Sequence, residues 1–161
     1  MADSDPSTAF SREQRVVHCT RADYVATVRG LLADTFSMCV DLTAVDYLTY
    51  AADRSLPPEV AAERFEVVVN LLSIEKRERV RVRVQVPVDD ATIPSLFDMY
   101  PGSEAMEREV YDMFGISFTD HPDPTRILMP EDWDGFPLRK DYDQGSIPVQ
   151  FSTDFATGSS R

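Results

Sequence analysis

Two adjacent runs of strict alternation constrain this chain more than any other feature. In RFEVVVNLLSIE (64–75) the odd positions Phe65, Val67, Val69 and Leu71 make one apolar row. In KRERVRVRVQVP (76–87) the even positions Val80, Val82, Val84 and Val86 make another. A strand turns successive side chains to opposite faces, so this period predicts two half-buried antiparallel strands, with Glu75 to Arg79 as the turn of a hairpin. The second strand's other face carries Arg77, Arg79, Arg81 and Arg83. Four like charges at that spacing repel one another unless acids lie over them, and Glu66 and Glu75 are the acids within reach. The row is either a solvated strand face or a docking face for an acidic surface.

The flanking segments predict the rest of an α+β domain. RVVHC (15–19) is short and β-branched, a strand. Thr20 and Asp23 have capping-box spacing, and Tyr24, Val25, Val28, Leu31 and Leu32 follow at helical spacing. FSMCVDLTAVDYLTY (36–50) returns to strand composition, and 51–63, with Pro57 and Pro58, reads as a loop. Pro94 is expected to open a short helix, PSLFDMY. Ser103 then caps a helix whose Met106, Val110, Met113 and Phe114 form one apolar stripe, stopped by Gly115 in a left-handed cap. After Phe118, prolines at 122, 124, 130, 137 and 148 exclude long helices and central strands. The expectation is a disordered leader (1–14), a domain built on a small antiparallel sheet with packed helices (15–118), and an extended, irregular tail (119–161). That tail keeps Ile127, Leu128, Met129, Trp133, Phe136, Leu138, Tyr142 and Phe151, too many large apolar groups for a solvated coil. It must lay them on its own domain or on a partner.

Charge narrows the function classes. The chain has 28 acids against 16 bases, net −12, and residues 101–161 alone hold 12 acids against 5 bases. Nucleic-acid backbones need clustered cations, so such a ligand is not expected, whereas protein partners are. No run approaches the ~20 apolar residues of a membrane span, and the N-terminus lacks a secretory pattern. Cys19 and Cys39 lie 20 apart with no CxxC, so they read as buried thiols of a reducing compartment.

Candidate chemistry is thin. Glu107 and Glu109 point in different directions on a helix, whereas Glu109 and Asp112, three apart, could share a substrate as an acid–base pair. His18, His121, Cys19 and Cys39 are the only soft metal ligands and none shows ligand spacing. No glycine-rich loop or nucleophile elbow occurs. A charged helix followed by an aromatic tail reads as a structure built for contact.

The block EREVYDMFGISFTDHPDPTRILMPEDWDGFPLRKDY (107–142) closely resembles the signature region of the thirty-kilodalton, or C, subunit of NADH:quinone oxidoreductase (respiratory complex I). ERFEVVVNLLSI (63–74), VRVRVQVP (80–87) and GSIPVQF (145–151) follow in that family's order. The resemblance implies a structural subunit of the hydrophilic arm of a proton-translocating complex, peripheral on the cytoplasmic face of the cell membrane. NADH, FMN, iron–sulfur clusters and quinone would be bound by other subunits, and none by this chain. Its partners would be the large quinone-site subunit of the forty-nine-kilodalton type and other arm subunits. The expected interface comprises Glu107, Arg108, Asp112, His121, Arg126, Arg139, Lys140 and Asp141 as polar contacts. Phe114, Trp133, Phe136, Leu138 and Tyr142 would be the apolar anchors. Loss of Arg139 or Trp133 is expected to weaken assembly more than folding. A membrane-bound hydrogenase or a ferredoxin-linked complex has similar subunits and is the nearest alternative; a stand-alone enzyme using Glu109 and Asp112 is the alternative of another class.

Overall fold

A computed structural model describes residues 7–11, 14–54 and 56–143, with side chains from residue 14 onward. The alternating runs become β4 (Phe65–Ser73) and β5 (Glu78–Val86), paired antiparallel with Phe65 opposite Val86, Val67 opposite Val84, Val69 opposite Val82 and Leu71 opposite Val80. All eight of these side chains have no solvent exposure. Burying each contributes ~1.5–3 kcal/mol, and a slip of one residue would send the whole row to the other face. The turn is Ile74–Arg77, one to two residues earlier than expected, and Arg77 closes it with φ of 55°.

Around this hairpin the sheet order is β1-β2-β5-β4-β3, with β1 Ser7–Ser11, β2 Gln14–Cys19 and β3 Met38–Asp46. β3 pairs antiparallel with β4, but β2 pairs parallel with β5, so the sheet is mixed rather than wholly antiparallel. The cause is connectivity. Helix α1 (Tyr24–Ala33) carries the chain across the sheet, returning β3 parallel to β2 with the hairpin inserted between them. Strand β1 falls inside the stretch expected as a disordered leader, and pairs antiparallel with β2 from Ser7 opposite His18 to Ser11 opposite Gln14.

Helix α1 starts at Tyr24 with Asp23 as its cap, later than the Thr20 box implied. The box still works in part: the Asp23 N–H donates to Thr20 Oγ1 at 3.2 Å, holding the turn that leads in. Its buried side, Tyr24, Val28 and Leu31, packs on the apolar face of the sheet. Helix α2 (Glu104–Phe114), entered through a 3-10 turn at Pro101–Ser103, adds Val110, Met113 and Phe114 to the same core. Pro94 does not open a helix. It ends the short strand β6 (Thr92–Pro94), which pairs parallel with β7 (Ser117–Thr119), and residues 95–100 make a single turn closed by Tyr100 N–H to the Leu96 carbonyl. Proline ends β6 because it has no N–H to extend the ladder. Both helices lie on one face of the sheet, so the fold is two layers. At the start of β4 the other face is roofed by the 51–64 loop, whose Arg54 reaches Glu66 at 3.3 Å and stacks 3.6 Å over the Tyr47 ring.

Candidate functional site

The chain leaves β7 through Asp120, at φ of 63°, and returns along α2 as an irregular arm. What holds the arm is the set of groups that a helix end leaves without partners. At the C-terminus of α2, Gly115 adopts φ of 69° and its N–H donates to the Tyr111 carbonyl. The next four carbonyls are satisfied by the arm. Arg126 Nη1 donates to the Asp112 carbonyl (3.2 Å), the Leu138 N–H to Met113 (3.0 Å), Arg139 Nε to Phe114 (2.5 Å) and Arg139 Nη2 to Gly115 (3.4 Å). Two guanidinium groups at the negative end of the helix dipole also match it in charge.

Asp112 is the second anchor. Its carboxylate has no solvent exposure; Oδ1 pairs with Arg126 at 2.6 Å, and Oδ2 accepts the N–H groups of Ile127, Leu128 and Met129 at 3.1, 2.7 and 2.8 Å. Burial pushes this carboxyl up, but the Met129 N–H, Arg126 and the other two amides outweigh burial and hold it below the usual carboxylate range. Arg126 also donates to the Trp133 and Gly135 carbonyls, closing the arm's middle turn. A third anchor lies at the arm's end. Buried Asp46 pairs with Arg64 at 2.8 Å and accepts the Lys140 N–H, while the same guanidinium reaches Asp141 at 2.6 Å.

At the arm's root, Glu107 is fully buried and accepts from Leu96 N–H (2.7 Å), Ser103 Oγ (3.1 Å) and Ser95 Oγ (2.5 Å). Burial raises its pKa, and these donors and His121 offset only part of that. His121 Nδ1 accepts the Asp123 N–H at 3.0 Å, so the ring proton sits on Nε2, facing the Glu104 carbonyl at 3.1 Å and Glu107 at 3.9 Å. Arg108 bridges Glu104, Asp123 and the Thr125 and Arg126 carbonyls. A cleft of about 270 Å³ opens here, lined by Glu107, Arg108, Tyr111, Ser117, Phe118, His121 and Pro124.

The structure therefore brings the expected interface residues together, but turns most of their charges inward. Glu107, Arg108, Asp112, His121, Arg126, Arg139 and Asp141 all engage groups of this chain. Phe136 covers Gly115 so closely that a Cβ there would sit 2.6 Å from its ring, and Phe136 stacks edge-on against Tyr111. Tyr142 packs in the same way over Gly135, and Phe114 belongs to the core. Trp133 (40% exposed) and Leu138 (46%) face outward, joined by Ile127 (40%) and Leu128 (57%), which the expected interface omitted. The apolar arm sequence itself signalled those two, but it could not say which side they would take. Lys140 is exposed at its side chain. The acid–base pair does not form a site, because Glu109 is exposed, Asp112 is enclosed, and neither lines the cleft. Cys19 and Cys39 are free thiols that burial pushes up to about 12 and about 11. Among the described residues no three His, Cys, Asp or Glu side chains gather as metal ligands, and no helix is long and apolar enough to cross a membrane. Residues 144–161, including GSIPVQF and Phe151, lie outside the described residues.

Comparison with known proteins gives this geometry a context. Residues 17–147 match the sequence model of the family described as respiratory-chain NADH dehydrogenase, 30 kDa subunit. The C subunit of NADH-quinone oxidoreductase from Saccharopolyspora erythraea is 47% identical over 116 residues, covering 72% of this chain and 43% of that protein. The protein of the same name from Salinispora arenicola is 39% identical over 151 residues, covering 94% and 56%. The chain thus spans about half the length of the curated relatives it matches. A trypsin-resistant fragment of Nqo5 superposes with a TM-score of 0.65 at 32% identity, over 73% of this chain and 89% of the fragment. A chain of the membrane-bound sulfane sulfur reductase, an archaeal respiratory membrane complex, superposes with a TM-score of 0.70 at 25% identity, over 88% and 79%.

Proposed function

The chain belongs to the respiratory-chain NADH dehydrogenase 30 kDa subunit family, and we propose that it is a structural, cofactor-free subunit of the hydrophilic arm of a proton-translocating NADH:quinone oxidoreductase. In this reading it sits peripherally on the cytoplasmic face of the membrane, and its arm docks on the large quinone-site subunit. The observation that carries the proposal is the division of the arm into two sides. Its polar groups are spent inward on α2, Asp112 and Asp46, while Ile127, Leu128, Trp133 and Leu138 are held outward. Apolar side chains on a segment already fixed by hydrogen bonds lose little further entropy on docking, which favours affinity. Trp is also a common anchor of binding energy in interfaces. Electron transfer and quinone reduction in neighbouring chains depend on accurate placement, so a rigid scaffold affects rate without touching substrate.

Arg139 takes a different role from the one expected from sequence. Its guanidinium closes α2 and stacks over the Phe65 and Phe136 rings at 5.1 and 4.7 Å, contacts that favour a loss of folding stability as the first effect of Arg139→Ala. Trp133 is the discriminating position. In Trp133→Ala the thermal melt of the isolated chain should fall by only a few degrees, about 1 kcal/mol for a half-covered ring, while recovery of the assembled complex from membranes is lost. Full assembly of Trp133→Ala together with Leu128→Ser would sink the docking role.

A second reading, as part of a hydrogenase-type or ferredoxin-linked complex, is favoured by the similarity to the archaeal sulfane sulfur reductase chain. Co-purifying flavin with NADH oxidation by the membrane assembly supports the first reading. An assembly without flavin that accepts electrons from ferredoxin supports the second.

A further inference from the structure

The arginine row of β5 has an outcome at each end. At the start of β4, Arg83 is satisfied: its Nε pairs with buried Glu66 at 2.7 Å, and its Nη2 lies 3.4 Å from the Tyr47 hydroxyl, under the loop that roofs this end. Toward the hairpin the roof is gone. Arg81 donates Nε, at 3.1 Å, to the Asn70 side chain, whose amide donates in turn to Asp41 of β3 at 3.4 Å, so Arg81 has no direct carboxylate partner among the described residues. Arg79 is exposed and stands opposite the half-buried Leu72, and its side chain has no hydrogen bond or ion pair among the described residues. The Arg77 backbone N–H closes the turn onto the Ile74 carbonyl at 3.3 Å, but its side chain has no partner among the described residues, whereas the neighbouring Lys76 is drawn to the helix side by Asp34. The helices cover the opposite face, and the arm's anchors sit at the far end of β4, about 26 Å away for a nine-residue strand. In a chain of net charge −12 this end of the sheet face is locally cationic, and the Arg79 guanidinium and the two terminal nitrogens of Arg81 have no partner among the described residues.

We propose that the open hairpin end of this face, built from Arg79 and Arg81 beside Asn70 and Leu72, binds an extended acidic polypeptide segment of a neighbouring protein, with carboxylates on alternate residues. The spacing carries the choice of ligand. Guanidinium groups two residues apart on a strand repeat every ~6.6 Å, which is also the repeat of alternate side chains on an extended peptide. Arginine pairs well with carboxylate because its planar fork gives two parallel donors. Leu72, opposite Arg79, offers an apolar contact beside the charges. Polyanions such as nucleic acid or anionic membranes fit less well, because the remaining negative charge of the chain repels a long anionic surface. The inference concerns a face remote from the arm and does not depend on what the arm docks.

The test is an amide NMR titration of the whole chain with the acetylated, amidated pentapeptide Glu-Val-Glu-Val-Glu, and with its Lys-for-Glu counterpart. Shift changes should cluster on residues 68–72 and 79–83, occur only with the glutamate peptide, and weaken as salt is raised. Affinity should fall at least tenfold in the double variant R79E/R81E and in R79Q/R81Q. It should stay within twofold in R29E, which alters charge on exposed α1. Unchanged affinity in both double variants would overturn the proposal, as would shifts scattered over the surface. So would binding of anionic vesicles or RNA, or concentration-dependent self-association, that the same variants abolish while peptide binding is absent.

Discussion

Asp112 holds four donors with two oxygens in a site that water does not reach. Removing its charge leaves Arg126 and three backbone N–H groups competing for a weaker acceptor. Asp112→Asn should therefore cost about 3 kcal/mol in urea unfolding, the scale of breaking a buried pair. The same carboxylate links the arm to pH. Its folded pKa lies below the unfolded value of about 3.9. Its contribution is thus complete above that value and is lost as pH falls through the folded pKa. Glu107 has the opposite sign. Burial raises its folded pKa, so its term favours the fold below the unfolded value and is lost as pH rises through the folded one. Glu107→Gln should therefore flatten the decline of stability that begins above about pH 4.3, the ordinary glutamate value, measured as urea midpoints at rising pH. Gly115 is fixed twice over, by its left-handed backbone and by the Phe136 ring. Gly115→Ala should destabilise by at least about 1 kcal/mol, and hydrogen exchange should quicken at Leu138, whose N–H caps Met113 beside it.

At the level of elements, α2 and the arm form one unit. The helix ends where its last carbonyls would otherwise face water, and residues 126, 138 and 139 arrive there in place of water. Arg139→Ala strips the donors from two carbonyls and the cation from two ring faces, and should cost about 2 kcal/mol of chain stability. A melt unchanged in that variant would contradict the capping role. The hairpin is the other unit. Its register is fixed by eight buried side chains, while its outer face is divided between a roofed, paired end at Glu66 and an open end at Arg79.

Over the whole molecule, three acid-centred anchors fasten the arm: Asp112 midway, Asp46 with Asp141 at its end, and Arg108 with Asp123 at its root. Asp46, Asp112, Asp123 and Asp141 all have depressed pKa values. Acid should therefore release the arm before the sheet, whose core is apolar. Limited proteolysis by pepsin at about pH 3, below the ordinary carboxylate range, should cut within 120–143 first and leave 14–118 as a resistant core. Simultaneous loss of both would show that the arm and the sheet unfold as one unit.

The sequence by itself determined the parts governed by local periodicity. The hairpin, its buried rows, the α2 stripe and the glycine stop follow from a two-residue or 3.6-residue repeat, which each residue's neighbours impose. The block 107–142 likewise carried the family resemblance. Only the tertiary structure decided the parallel β2–β5 pairing and the pairing of β1, because strand partners far apart in sequence leave no local pattern. It also decided the direction of the arm's charges. Arg126 meets Asp112 across 14 residues and Arg64 meets Asp141 across 77, so the linear order could name these groups but not pair them. Helix ends and buried carboxylates claimed the charges because unmet donors and acceptors are costly away from water. That left Trp133, Leu138, Ile127 and Leu128 as the groups that face outward.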